Sequence, residues 1–351
     1  MEIKALGNSE QDKKDWYGFL ETNKPDTHGF CLEWREIVKK SFGHEARYLV
    51  CKEGEKVLGL MPSFIVKSPL FGNSVASMPY LNEGGILATN EQAFTALLEE
   101  AGKIAKDNSC KYVELRHREP LSFNGEELAE RQHKVAMRMP LQSDPDEIFG
   151  GFPAKLRSQI RRPGKSGLEA KVSGIDLEQK ESVDAFYQVF SEHMRDLGTP
   201  VYPKSLFENT VSSFGEKARV ITVWDKDKPV ASGITVGFGD SSEIPWASSL
   251  RSYNKQSPNM LLYWQTIKQC ALDGYKFFDF GRSNPDSGTL KFKKQWGAEP
   301  RPLHWYYKLN NSEAPDVSPS NSKFEMMVKC WQKLPLPVAN ALGPTLTRWI
   351  P

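Results

Sequence analysis

Two stretches of this chain repeat one pattern, and the repeat restricts the possible folds more than any other feature. ARYLVCKEGEKVLGLMPSFIV, from Ala46, reads as strand, charged turn, strand; ARVITVWDKDKPVASGITVGF, from Ala218 and about 170 residues on, reads the same way. The turns fall at Lys52–Lys56 and Asp225–Lys228. A further short strand is expected after each, in SVASMPYL and SEIPWASSL. An amphipathic helix follows in each half. Phe94, Leu97, Leu98, Ala101, Ile104 and Ala105 recur at helical spacing after a start signal at Asn90. Met260, Trp264, Ile267 and Ala271 do so after Ser257–Pro258, an N-cap and N1 pair, and Gly274 ends that helix. Each helix runs into a strand, KYVELRH and KFFDFGRS. The pattern predicts an α/β protein of two similar units with mixed sheets, residues 1–145 and 146–310. The boundary lies in the Pro-, Gly- and acid-rich LQSDPDEIFGGFP, and residues 311–351 form a C-terminal extension.

A chain of 351 residues with 39% hydrophobic and 26% charged residues has globular composition and length for two domains. The net charge of +2 supplies no global basic field. DNA is therefore not expected as a partner, and any anion site must be a local patch. Cys31, Cys51, Cys110, Cys270 and Cys330 are scattered without a close pair, which fits buried thiols in a reducing cytosol. MEIKALGNSEQDKKDW has no apolar core of a signal peptide, and no 18-residue apolar run occurs, so a cytoplasmic protein is expected. NNSEAPDVSPSNS reads as an exposed loop. Beyond it, Phe324, Met327, Val328 and Trp331 form an apolar stripe. LPLPVANALGPTLTRWIP is then a helix expected to dock on a domain, with at most a peripheral membrane contact.

The six histidines offer no metal-ligand spacing, and no GxSxG, GxxxxGK[ST] or GxGxxG follows a strand. His193 shares a helix stripe with Phe186, Val189, Phe190 and Leu197, as a core or cleft histidine would. Three segments could carry chemistry. In FGRSNPDSGTLKFKKQWGAEP a strand ends at Phe280, the chain turns, and cations alternate with aromatics through Lys291, Phe292, Lys293, Lys294 and Trp296. Cations at the end of an α/β strand suit an anionic or oxyanion-forming ligand, and a solvated amphipathic turn would show the same pattern. AKLRSQIRRPGKSG places Lys155, Arg157, Arg161, Arg162 and Lys165 on a helix expected to stop before Pro163. Arg157 and Arg161 share a face, as phosphate contacts or as a charged solvent face. HMRDLGTPVYP carries Arg195 and a Gly198–Thr199–Pro200 corner that either lines a cleft or simply turns the chain.

With LRSQIRR…GKSGLEA, RDLGTP, PNMLLYWQTI, FDFGRS and TLKFKKQWG followed by HWYY, the chain resembles the FemAB-like family, peptidyltransferase-like members of the GNAT superfamily. EWREIVKKSFGHEARYL, LFGNSVASMPYLNEGGI and YVELRHR resemble its branch associated with exosortase and exopolysaccharide loci. The resemblance implies two tandem GNAT-like domains. It also implies an N-acyl or aminoacyl transferase acting on an amine of a phosphate-bearing cell-envelope precursor, of peptidoglycan or of exopolysaccharide. Phe292 and Lys293 match the family's Phe-Lys element, which makes them the catalytic candidates, with the lysine near the reacting carbonyl. Arg157, Arg161, Arg162, Arg195, Thr199, Arg282, Ser283 and Tyr80 are the substrate-binding candidates. No metal and no tightly bound cofactor is implied. The donor is aminoacyl-tRNA or acyl-CoA: RSYNKQSP lacks the glycines of a coenzyme A pyrophosphate loop, and the tRNA-binding helical hairpin of some members has no counterpart.

Overall fold

The strand and helix patterns of the sequence form two units, described in a computed structural model that covers residues 1–122, 128–310 and 322–350. One unit holds Met1–Val135 with the described residues of 302–317 and 348–351; the other holds Ala136–Arg301 with the described residues of 318–347.

The first unit begins with β1 (Glu2–Ala5), α1 (Glu10–Asn23), α2 (Glu33–Phe42), β2 (Glu45–Ala46), β3 (Leu49–Glu53), β4 (Lys56–Met61), β5 (Phe64–Val66) and β6 (Asn73–Ala76). It continues with β7 (Leu87–Ala88), α3 (Glu91–Asp107), β8 (Cys110–His117) and β9 (Ala129–Arg131). The hairpin read at Lys52–Lys56 is β3–β4, turning through Gly54 in the left-handed region. Asn90 caps α3 by accepting from the Ala93 N–H, and Phe94, Leu97, Leu98, Ala101 and Ala105 are buried. They pack on Leu49, Met61, Val75, Val113 and Leu115, so one apolar helix stripe covers the strands. The strand expected over SVASMPYL ends at Ala76; the rest is a buried loop in which Met78 and Tyr80 take positive φ. The strands form two sheets, in orders β1-β3-β4-β7 and β2-β5-β6-β8-β17-β9. Here β17 (His304–Leu309) returns from the far end of the chain to pair antiparallel with β8, His304 opposite His117.

The second unit runs β10 (Val135–Pro140), α4 (Pro145–Gly151), α5 (Ala154–Lys165), β11 (Leu168–Val172), α6 (Gln179–Leu197), α7 (Lys204–Phe214), β12 (Ala218–Asp225), β13 (Lys228–Phe238) and β14 (Ser241–Ser249). Then come α8 (Pro258–Leu272), β15 (Phe277–Ser283), α9 (Gly288–Lys294) and β16 (Glu299–Pro302), with α10 (Ser322–Gln332) and α11 (Leu336–Thr347) at the end. One sheet of order β11-β12-β13-β14-β15-β10-β16 carries helices on both faces. Its β12–β13 hairpin, β14, α8 and β15 follow one another as β3–β4, β6, α3 and β8 do in the first unit, and both units pair the last two strands in parallel. The expected pair of mixed α/β units is thus present.

Four local expectations are corrected. Cys330 is not a buried thiol but is exposed on α10, whereas Cys31, Cys51, Cys110 and Cys270 are buried. Helix α5 does not stop before Pro163 but continues to Lys165, because Pro163 lies in its last turn and forfeits only one helical N–H. Ser257 precedes α8 without a side-chain cap: its backbone is left-handed, φ +56°, not the extended conformation in which an N-cap side chain accepts from the helix N–H groups. Leu197 does not extend the buried stripe of Phe186, Val189 and Phe190 but is 45% exposed at the end of α6. The docked C-terminal helix consists of two, α10 and α11, both against α6. The loop expected to be exposed at 311–321 and the side chain of Phe324 lie outside the described residues. Among the described residues no helix is long and apolar enough to cross a membrane.

Candidate functional site

In the second unit β14 and β15 pair only at Ser241–Phe277, Ser242–Phe278 and Glu243–Asp279. Beyond that point β14 runs on to Ser249 and β15 to Ser283 without pairing each other, so the sheet opens between them. An irregularity on the β13 side reinforces the parting. Val236 faces Glu243 and Ile234 faces Trp246, which places one extra residue in β14 around Pro245. By that register Glu243, Trp246 and Ser248 share one face.

Lys293 sits where the strands part. It is 6% exposed, and its ammonium donates to the carbonyls of Gly281 at 3.0 Å and Arg282 at 2.9 Å. Helix α9 thus turns the ammonium back onto the end of β15. An ammonium has three N–H donors, and one remains beyond these two bonds. Burial lowers the Lys293 pKa to about 8, opposed by the carboxylates of Asp279 and Glu243 and reinforced by Arg282. Asp279 is buried and accepts the Gly281 N–H at 2.8 Å, which fixes Gly281 at φ +68°, a conformation glycine adopts without strain. Among the described residues the buried hydroxyls of Ser248 and Ser283 and the indole N–H of Trp296 have no hydrogen-bond partner. A buried polar group without a partner costs about 1–3 kcal/mol, so two orphan hydroxyls on the parted strands point to a polar ligand.

Phe292 and Trp296 build the wall behind the lysine. Phe292, Trp296 and Phe280 pack around Tyr263 of α8, whose burial raises its phenol to about 12. Ser287 caps α9 by accepting from Leu290 N–H. Of the candidates, Phe292, Lys293, Arg282 and Ser283 lie together, with Arg282 exposed. Arg157 donates to the Gly150 and Phe152 carbonyls at 2.8 and 2.9 Å, and Arg161 lies 5.0 Å from the Phe149 ring centroid, so both brace α4. Arg162 is exposed. Arg195 pairs with Asp196 and donates to the Leu334 carbonyl, between α10 and α11. Thr199 donates its N–H to Met194 in the turn that closes α6. His193, half-buried, is held by the Ser249 carbonyl at the end of β14. In the first unit Tyr80 is buried, hydrogen-bonded to His44 at 2.6 Å and stacked on Phe42.

The first unit lacks the same opening. Past the last β6–β8 pair, Ser77 N–H bonds Glu114, Gly84 and Gly85 bond the Arg116 carbonyl, and the Arg116 guanidinium holds the Met78 and Leu81 carbonyls. The chain fills its own gap. Sequence reading named Lys293 and Ser283 as candidates and did not name Glu243, Asp279 or Ser248, which the structure places on the two parting strands. The signal was available: a charged residue inside an otherwise apolar strand, as in KFFDF, must be paired or functional.

The turn before α8, where the sequence lacks the glycines of a coenzyme A pyrophosphate loop, offers few free backbone N–H groups. Arg251–Gln256 is a 3-10 helix, and the N–H groups of Tyr253, Ser257 and Met260 are spent on Leu250, Asn254 and Ser257. Pro258 has no N–H. No group of three or more metal-ligating side chains occurs among the described residues.

These features define a GNAT-type acyltransferase domain in the second unit: residues 154–294 match the family described as Acetyltransferase (GNAT) domain. The chain shares its fold with solved structures that include a tandem GNAT protein. It is similar to the crystal structure of FemX at 16% identity and a TM-score of 0.63, over 89% of this chain and 98% of that one. It is also similar to a tandem GNAT protein of the clavulanic acid pathway, at 10% identity and 0.58, over 89% and 100%. L-PGS from Bacillus licheniformis gives 12% and 0.54, over 91% and 96%. No curated protein matches the chain.

Proposed function

We propose that the chain transfers an acyl or aminoacyl group to an amine of a phosphate-bearing cell-envelope precursor. The buried Lys293, held on the end of β15 where it parts from β14, carries the reading, and the two parted strands bear the unpartnered hydroxyls of Ser248 and Ser283. In such a transfer the neutral amine attacks the ester carbonyl, a C–N bond forms and the C–O bond breaks. The amine loses its proton and the leaving oxygen gains one. Negative charge collects on the carbonyl oxygen between these events. The remaining N–H of Lys293 is a preorganised cationic donor in a site that excludes water, where such a donor contributes about 3–4 kcal/mol. Ser248 and Ser283 would hold polar atoms of the donor or acceptor, and the exposed Arg282 and Arg162 a phosphate. FemX and L-PGS among the similar structures support an aminoacyl donor and an envelope acceptor.

A second reading, acyl transfer from acyl-CoA, is favoured by the GNAT family match itself. Mass spectrometry of envelope precursors from wild-type and deletion cells separates the two. A product lacking an amino acid after deletion supports the first reading, a product lacking a simple acyl group supports the second, and identical precursors refute both.

A further inference from the structure

The C-terminal helices pack their small residues inward and turn large apolar ones to solvent. In α11 the buried positions are Ala339, Gly343 and Thr347. A Cβ on Gly343 would stand 2.8 Å from Val201, and the Thr347 hydroxyl donates to the Val201 carbonyl. The branched residues of the same helix, Val338 and Leu342, are 41% and 49% exposed. Helix α10 exposes its apolar residues too: Met326, Met327 and Val328 are 70%, 62% and 37% exposed, although Val328 also lies against Gly198 of the α6 cap. Leu197, beside that glycine, is exposed as well. A helix selected for water on its outer side shows the opposite order.

The charge of this face selects its occupant. The two helices and their connection contain one acid, Glu325, against Lys323, Lys329 and Lys333, and Arg348 follows α11. Lys329 and Lys333 are exposed. A second copy docked by two-fold symmetry would bring this net cationic surface against itself and oppose like charges. At 11 and 12 residues the helices are too short to span a bilayer, so contact with one is confined to its surface.

We infer that α10 and α11 dock on the surface of an anionic phospholipid bilayer. Met326, Met327, Val338 and Leu342 enter the boundary between headgroups and acyl chains, and Lys329 and Lys333 meet lipid phosphates. None of these residues belongs to the acyl-transfer site, so the surface stands or falls independently of that reading.

Sedimentation of the full chain with vesicles tests it, using phosphatidylcholine alone and phosphatidylcholine mixed with phosphatidylglycerol. The wild-type chain should sediment with the anionic vesicles and be released by salt. Met327→Glu with Leu342→Glu should reduce the bound fraction at least roughly tenfold. Lys329→Gln with Lys333→Gln should remove the preference for anionic vesicles, also roughly tenfold. Thermal melting of the variants should match wild type, since the altered side chains are exposed. Equal sedimentation of wild type and the Glu double variant would overturn the inference, as would equal binding to both vesicle types. So would a dimer in solution that the Glu double variant dissociates while vesicles bind nothing, which would assign the face to a second copy.

Discussion

Asp279 reaches Lys293 through a single glycine. The Asp279 carboxylate accepts the Gly281 N–H, and the Gly281 carbonyl accepts the Lys293 ammonium, at 2.8 and 3.0 Å. One carboxylate thus orients the peptide that holds the cation and also supplies, together with Glu243, the negative charge that keeps it protonated against burial.

Asp279→Asn should therefore act on pH dependence and not only on rate. With Lys293 required as a cation, activity falls as pH rises through about 8. Removing the Asp279 charge lowers the lysine's pKa further, so the alkaline limb of kcat/KM moves to lower pH and activity at pH 8 drops by roughly fivefold. A pH–rate profile for the variant checks this; an unmoved limb with uniformly lower activity would leave Asp279 as a fold residue alone.

The same lysine makes a stability prediction with a defined sign. Its folded pKa, about 8, lies below the 10.5 of an ordinary lysine, so between these values the unfolded chain holds more protons than the folded one. Unfolding free energy from this group then rises with pH across that window, by up to about 3 kcal/mol in the fully buried limit. Urea unfolding of wild type and Lys293→Met from pH 7 to 10.5 should show wild type gaining on the variant as pH increases. A constant difference would mean that the lysine titrates normally.

The basic helix divides by contact. Arg157 donates to two carbonyls of the α4 end, whereas Arg162 is exposed. Arg157→Ala should lower stability by about 1 kcal/mol. Arg162→Ala should leave stability within about 0.5 kcal/mol of wild type and weaken binding of a phosphate-bearing precursor, with a loss that shrinks at high salt. Titration calorimetry at two ionic strengths, beside thermal melts, distinguishes the two roles.

The repeat and the helix stripes were legible because burial imposes period: Phe94, Leu97, Leu98, Ala101 and Ala105 can face one core only in a helix. The return of β17 to the first unit was not legible, since its partner β8 is remote in sequence and HWYYKL carries no mark of which sheet it joins. At the site, Lys293 was readable from its setting among aromatics, but its direction was not. Nothing local to KFKKQW states that Gly281 and Arg282 present their carbonyls to it. Tyr80 misled for a similar reason, because the loop after β6 turns inward through positive φ at Met78 and Tyr80 and seats the phenol against His44. Met326, Val338 and Leu342 escaped because apolar spacing reports a helix face but not whether anything covers it.

The turn before α8 decides the donor. A pyrophosphate is held where several backbone N–H groups converge at a helix start, usually with glycines that let the chain approach closely. Here Arg251–Gln256 is wound into a 3-10 helix, the Ser257 N–H is bonded to Asn254, the Met260 N–H to Ser257, and Pro258 contributes none. Cations do lie nearby in Arg251 and Lys255, but a charge without converging amides gives weak and poorly oriented binding. Acetyl-CoA should accordingly bind with a dissociation constant of about 1 mM or weaker, roughly −4 kcal/mol. Titration calorimetry of the full chain with acetyl-CoA and coenzyme A measures it directly. A micromolar constant would show that the turn rearranges around the cofactor and would give the acyl-CoA reading precedence over aminoacyl transfer.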